Sequence, residues 1–241
     1  MSKHKQEDIR RKFGYDPIKA AQDGGKESVP VGRSLYSDAL DLVIREGVEL
    51  IRPLLNSGKE PGLSCALYVF SELTSKQSAA LVDDIIPHIK PPKPVGRWSL
   101  IEGLMQHIEK LSYQETATFL QYCEDEEPSV RHKISEAVAF MPLSKLEGAA
   151  PFLRPSPALN CHLEGIQLQL RPHSKETVEL AMAKSSSVLN CYVFAKLYRE
   201  ACLGRYHSVP ESFPKSEQKY LEEMIASKKR MNELRVRWKK K

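Results

Sequence analysis

The chain has 241 residues and a mass of 27.3 kDa, 41% of them hydrophobic and 28% charged, with a mean hydropathy of −0.42. That length accommodates one large or two small domains with a sizeable core, and five cysteines, an odd number spread from Cys65 to Cys202, exclude a secreted disulfide scaffold. The formal charge of +5 sits at the two ends: residues 215–241 hold ten basic and four acidic residues, residues 1–33 hold eight and five, and the stretch between is left at −4.

The opening MSKHKQEDIRRKF is basic and polar and lacks the apolar core of a signal peptide. No apolar run approaches the roughly 18–20 residues of a membrane span, so a cytoplasmic protein with no membrane partner is expected. Residues 1–33 carry Pro17, Gly24, Gly25, Pro30 and Gly32 with little periodicity. They predict a short helix over 4–13 and then irregular chain. A helix follows from Ser37 to Leu50, with Ser37 as its N-cap.

From there the chain repeats. Five apolar-periodic segments align when started at Pro61, Pro94, Pro128, Pro157 and Ser187, at intervals of 33, 34, 29 and 30 residues. Two positions on stand Leu63, Gly96, Val130, Leu159 and Leu189; six on stand Leu67, Leu100, Ile134, Leu163 and Val193; ten on stand Ser71, Leu104, Val138, Gln167 and Leu197. Steps of four residues place these on one helical stripe, and a leading proline suits a first helical turn. A second apolar helix precedes each segment. Three of these first helices contain an interior proline, Pro53, Pro87 or Pro151, predicting kinks. Such helix pairs of about 30–34 residues bury their apolar faces only by stacking. Residues 204–214 read as a loop, and 215–237 as a final helix capped by Ser216, with Tyr220, Leu221, Met224 and Ile225 on its packing face.

The segment Glu124 to Met141, EDEEPSVRHKISEAVAFM, resembles HEAT repeats, with the acid–Pro–x–Val–Arg opening at Asp125, Pro128, Val130 and Arg131. The arginine recurs at Arg97, whereas Ser64, Asn160 and Asn190 replace it in the other units. The resemblance implies an all-α fold: a right-handed α-solenoid of about five HEAT-like helix pairs over 34–205. A mostly irregular segment, 1–33, precedes it, and a loop with a basic C-terminal capping helix, 206–241, follows.

No phosphate-cradling Gly-rich loop, Cys-x-x-Cys, His-Glu-x-x-His or Gly-x-Ser-x-Gly occurs. The histidines are scattered singly, so no metal and no cofactor are expected. Cys65, Cys161 and Cys191 share a register position and read as packing between helices. Glu102 and Glu136, in register on neighbouring second helices, read as part of a solvated face rather than an acid–base pair. Trp98 beside Arg97 is the most partner-like pair, since both types are common binding anchors; the alternative is that Trp98 fills the core between repeats. The expected concave ridge of second helices adds Gln106, Lys133, His162, Gln169, Tyr192 and Arg199.

These readings point to a protein that is not an enzyme: a protein-binding solenoid, either a bacterial immunity protein that neutralises a toxin or a small adaptor. The −4 body suits a protein partner with a basic surface. The alternative is a nucleic-acid-binding or DNA-repair HEAT-like protein. It draws on the basic C-terminal helix and is opposed by the body's charge, because phosphate neutralisation needs Lys and Arg.

Overall fold

The computed structural model describes residues 12–24, 29–90, 93–172, 174–204, 213, 215–227 and 232. Among these residues there is no strand, and no helix is long and apolar enough to cross a membrane. The chain divides into two compact units, residues 1–110 and 111–241. The boundary falls inside the stretch 34–205.

In the first unit, ordered packing begins earlier than the sequence predicts. Helix α1, Pro17–Gln22, carries proline in its first turn, and Asp16 caps it by accepting from the Ile18 and Lys19 N–H groups at 3.1 Å. Phe13, Tyr15 and Ala20 pack with Leu42. Asp38 ties this segment down: it accepts from the Tyr15 hydroxyl at 2.8 Å and from Arg33 Nε and Nη2 at 2.7 and 2.6 Å. Burial alone would raise the Asp38 carboxyl, but the bonds from Arg33 and Tyr15 outweigh it and hold it below its ordinary value. The irregular segment expected over 1–33 is therefore packed chain at 13–21. Of the helix expected over 4–13, only Lys12 and Phe13 are described, and both are helical.

Helix α2, Leu35–Glu46, is capped by Ser34, whose Oγ accepts from the Ser37 N–H, so the cap is three residues upstream of the expected one. A 3-10 turn, Val48–Ile51, leads into α3, Arg52–Ser57; α4 is Gly62–Glu72 and α5 is Ser75–Ser78. Helix α6, Val82–Ile85, passes into the 3-10 turn Ile86–Ile89, and α7 is Arg97–Met105. The prolines expected to kink first helices divide them instead. Pro53 opens α3 after one 3-10 turn and Pro87 sits in another. Without an N–H, proline ends the i→i−4 ladder, and the tighter i→i+3 turn takes over.

Helix α4 is the centre of this unit, packed on α2, α3 and α7. A Cβ on Gly103 of α7 would lie 2.3 Å from the Phe70 ring, so only glycine lets the two helices approach this closely. Polar contacts about thirty residues apart join successive pairs: Arg52 donates to the Ala80 carbonyl at 3.0 Å, and Ser78 Oγ lies 2.8 Å from His107 Nε2.

The second unit holds α8, Tyr113–Leu120, opened by a reciprocal capping box between Ser112 and Glu115 and closed by the 3-10 turn Gln121–Glu124. Then come α9, Pro128–Phe140, and α10, Leu143–Ala149, which ends in a 3-10 turn at Pro151. They are followed by α11, Leu159–Leu170, α12, Lys175–Met182, α13, Ser187–Cys202, and α14, Lys215–Ala226. Helices thus occupy all five segments expected as second helices: α4, α7, α9, α11 and α13.

Their order in space differs from their order in the chain. Helices α9 and α11 each lay their length on α13 rather than on one another. All three run the same way. Cys191 Sγ lies 3.7 Å from the Arg131 carbonyl and Arg199 reaches the Val138 carbonyl; on the other side Tyr192 meets His162 and Lys196 meets the Gln169 carbonyl. The physical reason is in α13 itself. Every residue from Cys191 to Cys202 is buried, and a helix with no water-facing side must be covered all round. Helices α12 and α14 complete the cover.

The stripe read from the sequence is buried in α4, α7, α9 and α13 but not in α11, where Leu163 is 38% exposed and Gln167 is exposed. Helix α11 turns by one residue, so His162 and Ile166 face inward. Counted from Ser156 rather than Pro157, His162 takes the place of Leu67, Leu100, Ile134 and Val193, and Gly165 takes that of Gly103. Gly165 plays the same part as Gly103: its Cβ would lie 2.3 Å from the Tyr192 ring.

Helix α14 packs on α13. Its Tyr220 ring stacks on His132 at 4.7 Å and tilts against Phe194 at 5.5 Å, while Leu221 and Met224 are buried. Ser216, expected as the N-cap, is within the described helix Lys215–Ala226, and its side chain lies outside what is described. The basic residues beyond 227, and most of the loop 204–214, lie outside the described residues.

Candidate functional site: an exposed face of α7 and a buried polar centre

The ten residues expected along one ridge fall into two groups. Arg97, Trp98, Glu102 and Gln106 belong to α7 and the turn after it, in the first unit. Trp98 is 41% exposed and the preceding Val95 is 73% exposed, while Arg97, Glu102 and Gln106 are half-buried. Gln106 Nε2 reaches the Leu73 carbonyl at 3.5 Å. Leu100, Ile101 and Leu104 of α7 are fully buried and anchor the helix, which leaves Trp98 partly exposed.

The other six lie in the second unit and are buried. Lys133, Glu136, His162, Gln169, Tyr192 and Arg199 are at most 3% exposed, so an open ridge made of them does not exist in this arrangement. His162, Gln169, Tyr192 and Arg199 belong to the α9–α13–α11 interior, and Lys133 and Glu136 pair with each other on α9. Charged side chains survive such burial only with partners, and the partners here are mostly helix ends. Arg199 Nη2 donates to the Val138, Ala139 and Met141 carbonyls at 2.9, 3.3 and 2.9 Å, which closes the C-terminus of α9. Lys196 Nζ donates to the Gln169 and Arg171 carbonyls at 3.3 and 2.7 Å, closing the C-terminus of α11. The last carbonyls of a helix have no intrahelical donor and carry partial negative charge, so two cations from one central helix satisfy two neighbours. Burial lowers Arg199 to about 9, with Glu200 opposing the shift. Lys196 also pairs with Glu200 at 3.6 Å, and Lys133 with Glu136 at 2.8 Å.

At the other end of this interior, three side chains form a chain of hydrogen bonds. Glu124 Oε1 lies 3.0 Å from His162 Nε2, and His162 Nδ1 lies 2.9 Å from the Tyr192 hydroxyl. Acid, imidazole and hydroxyl in this order are the geometry of a nucleophile relay. Here the hydroxyl is fully buried and out of reach of a substrate, and burial raises Tyr192 well above its ordinary value. Gln169 Nε2 donates to the Tyr192 main-chain carbonyl at 2.6 Å.

The structure brings together His162, Gln169 and Tyr192 and joins Arg199 to α9. Glu102 belongs to the first unit and Glu136 to the second. Sequence reasoning missed Glu124, Lys196 and Glu200. The i,i+4 spacing of Lys196 and Glu200 on α13 was the available signal. The carbonyls that hold Lys196 were not. Cys65 and Cys191 are buried and Cys161 half-buried; burial pushes the Cys65 thiol up to about 12, away from nucleophilic use. Among the described residues, no group of three or more His, Cys, Asp or Glu side chains is placed to hold a metal ion. No protein-family model, no curated protein and no solved structure matches this chain.

Proposed function

We propose that the chain is a non-catalytic protein-binding scaffold of HEAT-like helix pairs, forming a right-handed solenoid and acting as an immunity protein or small adaptor in the cytoplasm. The observation that carries this reading is the exposure of Trp98 on α7 and of Val95 just before it, while Leu100, Ile101 and Leu104 of α7 are buried in the core. A tryptophan held toward water on a rigid helix is a ready anchor: it supplies large apolar area at low entropic cost on binding. Arg97 and Glu102 flank it and would set the partner's orientation. The Arg97 fork suits a carboxylate, and the −4 charge of residues 34–214 favours a partner with an overall basic surface.

The test is capture from the native cell with the parent chain and with the Val95→Ser/Trp98→Ala double variant, followed by titration of the captured partner in purified form. The reading expects unchanged helicity and a loss of affinity of about tenfold or more, the effect of removing one anchor. Equal affinity removes α7 from the interface.

A second reading, nucleic-acid binding, is favoured by the ten basic residues in 215–241. It expects a salt-dependent shift with duplex DNA, and failure to bind heparin at low salt ends it.

A further inference from the structure

His162 stands where α4, α7, α9 and α13 place leucine, isoleucine or valine, at the centre of a packed stripe. An imidazole there must have both nitrogens satisfied, and it does. A carboxylate oxygen only accepts, so Nε2 carries a proton and donates to Glu124. Nδ1 is then the acceptor, and the Tyr192 hydroxyl donates to it. The Tyr192 ring fills the notch over Gly165, and its carbonyl takes Gln169 Nε2. One neutral ring therefore links the turn Gln121–Glu124, α11 and α13. The link reaches solvent only through Glu124, whose side chain is 30% exposed.

We propose that Glu124, His162 and Tyr192 form a proton-controlled clasp that holds α11 on α13 while the imidazole is neutral and releases it when the imidazole takes a second proton. With both nitrogens protonated, Nδ1 faces the tyrosine hydroxyl as a donor. The hydroxyl must turn its own hydrogen elsewhere, inside a wholly buried site. The new charge gains attraction from Glu124 but loses hydration. Burial is the larger effect and Glu124 the smaller, so the closed form holds His162 below its ordinary value of 6.5.

The other titratable groups facing this site are the Cys123 thiol from the turn and the Cys191 thiol from α13. Helix α10 also packs on α11, but its Lys145 is turned to the Leu111 carbonyl and the Tyr113 ring, and its Glu147 is exposed. Glu164 on α11 pairs with Lys184 at 2.6 Å, and Lys196 is held at the far end of α11. The sign follows: above pH 6.5 the clasp is intact. As pH falls below that value the released form takes up the proton first, and the closed form loses ground until its own, lower value is passed.

Hydrogen exchange of the intact chain tests this, comparing peptides of α11 at pH 7.5 and 5.5 after correction for intrinsic exchange. The expected result is a loss of protection of roughly tenfold in α11 at pH 5.5, absent from a His162→Gln variant, whose amide can donate and accept but not titrate. Unchanged protection in the parent chain, or an equal loss in the variant, overturns the proposal. Should the variant not fold, nitrogen-15 spectra of the parent carry the test. His162 is expected as the Nε2–H tautomer at pH 7.5, titrating below 6.5. The Nδ1–H tautomer, or titration at or above 6.5, contradicts it.

Discussion

Single atoms decide how closely the helices approach. At Gly103 and Gly165 a single added carbon would sit 2.3 Å from an aromatic ring. Gly165→Ala therefore forces Tyr192 out of its notch and is expected to cost about 1–3 kcal/mol, measured by chemical denaturation. Ile134, fully buried in α9, tests the opposite fault: Ile134→Ala leaves a cavity and is expected to cost about 2–5 kcal/mol. Unchanged denaturation midpoints in either variant would show that these contacts are not made. His88, His132 and His162 are all pushed below their ordinary value of 6.5, by burial first. Folded stability is thus expected to change little between pH 7 and 8 and to fall as the pH drops below 6.5, because the unfolded chain binds protons first. Unfolding curves at pH 7.5 and 5.5 that superimpose would contradict this. Residue-scale chemistry was the part least legible in the sequence. The spacing of four put Leu63, Leu67 and their equivalents on one face correctly in four helices. It failed in α11 because a polar histidine and a glycine, not Leu163, occupy the inward positions, and apolar counting cannot see a histidine that is satisfied by Glu124 and Tyr192.

The helices themselves follow from local signals that the sequence displays. Proline at the first turn of α1 and α9, and the Ser112–Glu115 box at α8, mark starts that need no tertiary help. The prolines of the first helices were visible too, but whether a proline bends a helix or divides it depends on whether neighbours sustain the broken ladder, and here 3-10 turns take over. The decisive element is α13. Its apolar and charged residues are distributed all round, which reads in isolation as a poorly amphipathic helix. Burial on every side makes sense of it, because Lys196 and Arg199 find acceptors at the ends of α11 and α9. Arg199→Met would keep the volume and strip the donors from three carbonyls at the end of α9. The expected cost is about 1–3 kcal/mol, the range for leaving a buried acceptor unsatisfied. A variant as stable as the parent would show that the arginine does not hold α9.

For the chain as a whole, the all-helical class was legible from the periodicity near thirty residues. Which helix lies beside which was not. Spacing along the chain predicts that neighbours in sequence stack, whereas burial of α13 requires it to sit between α9 and α11. The expectation of an accessible polar ridge failed for Lys133, Glu136, His162, Gln169, Tyr192 and Arg199, which are buried in the second unit. The proposed binding role rests instead on Trp98 of α7, which is 41% exposed. The most direct test of this account is the set of nuclear Overhauser contacts made by α13 in solution. The account predicts contacts from Phe194 and Tyr198 to His132 and Phe140 of α9, whose ring centres lie 6.3 and 6.5 Å away, together with contacts from the Tyr192 ring to Gly165 of α11. Contacts from α13 to α11 alone, with α9 facing α11 directly, would contradict it.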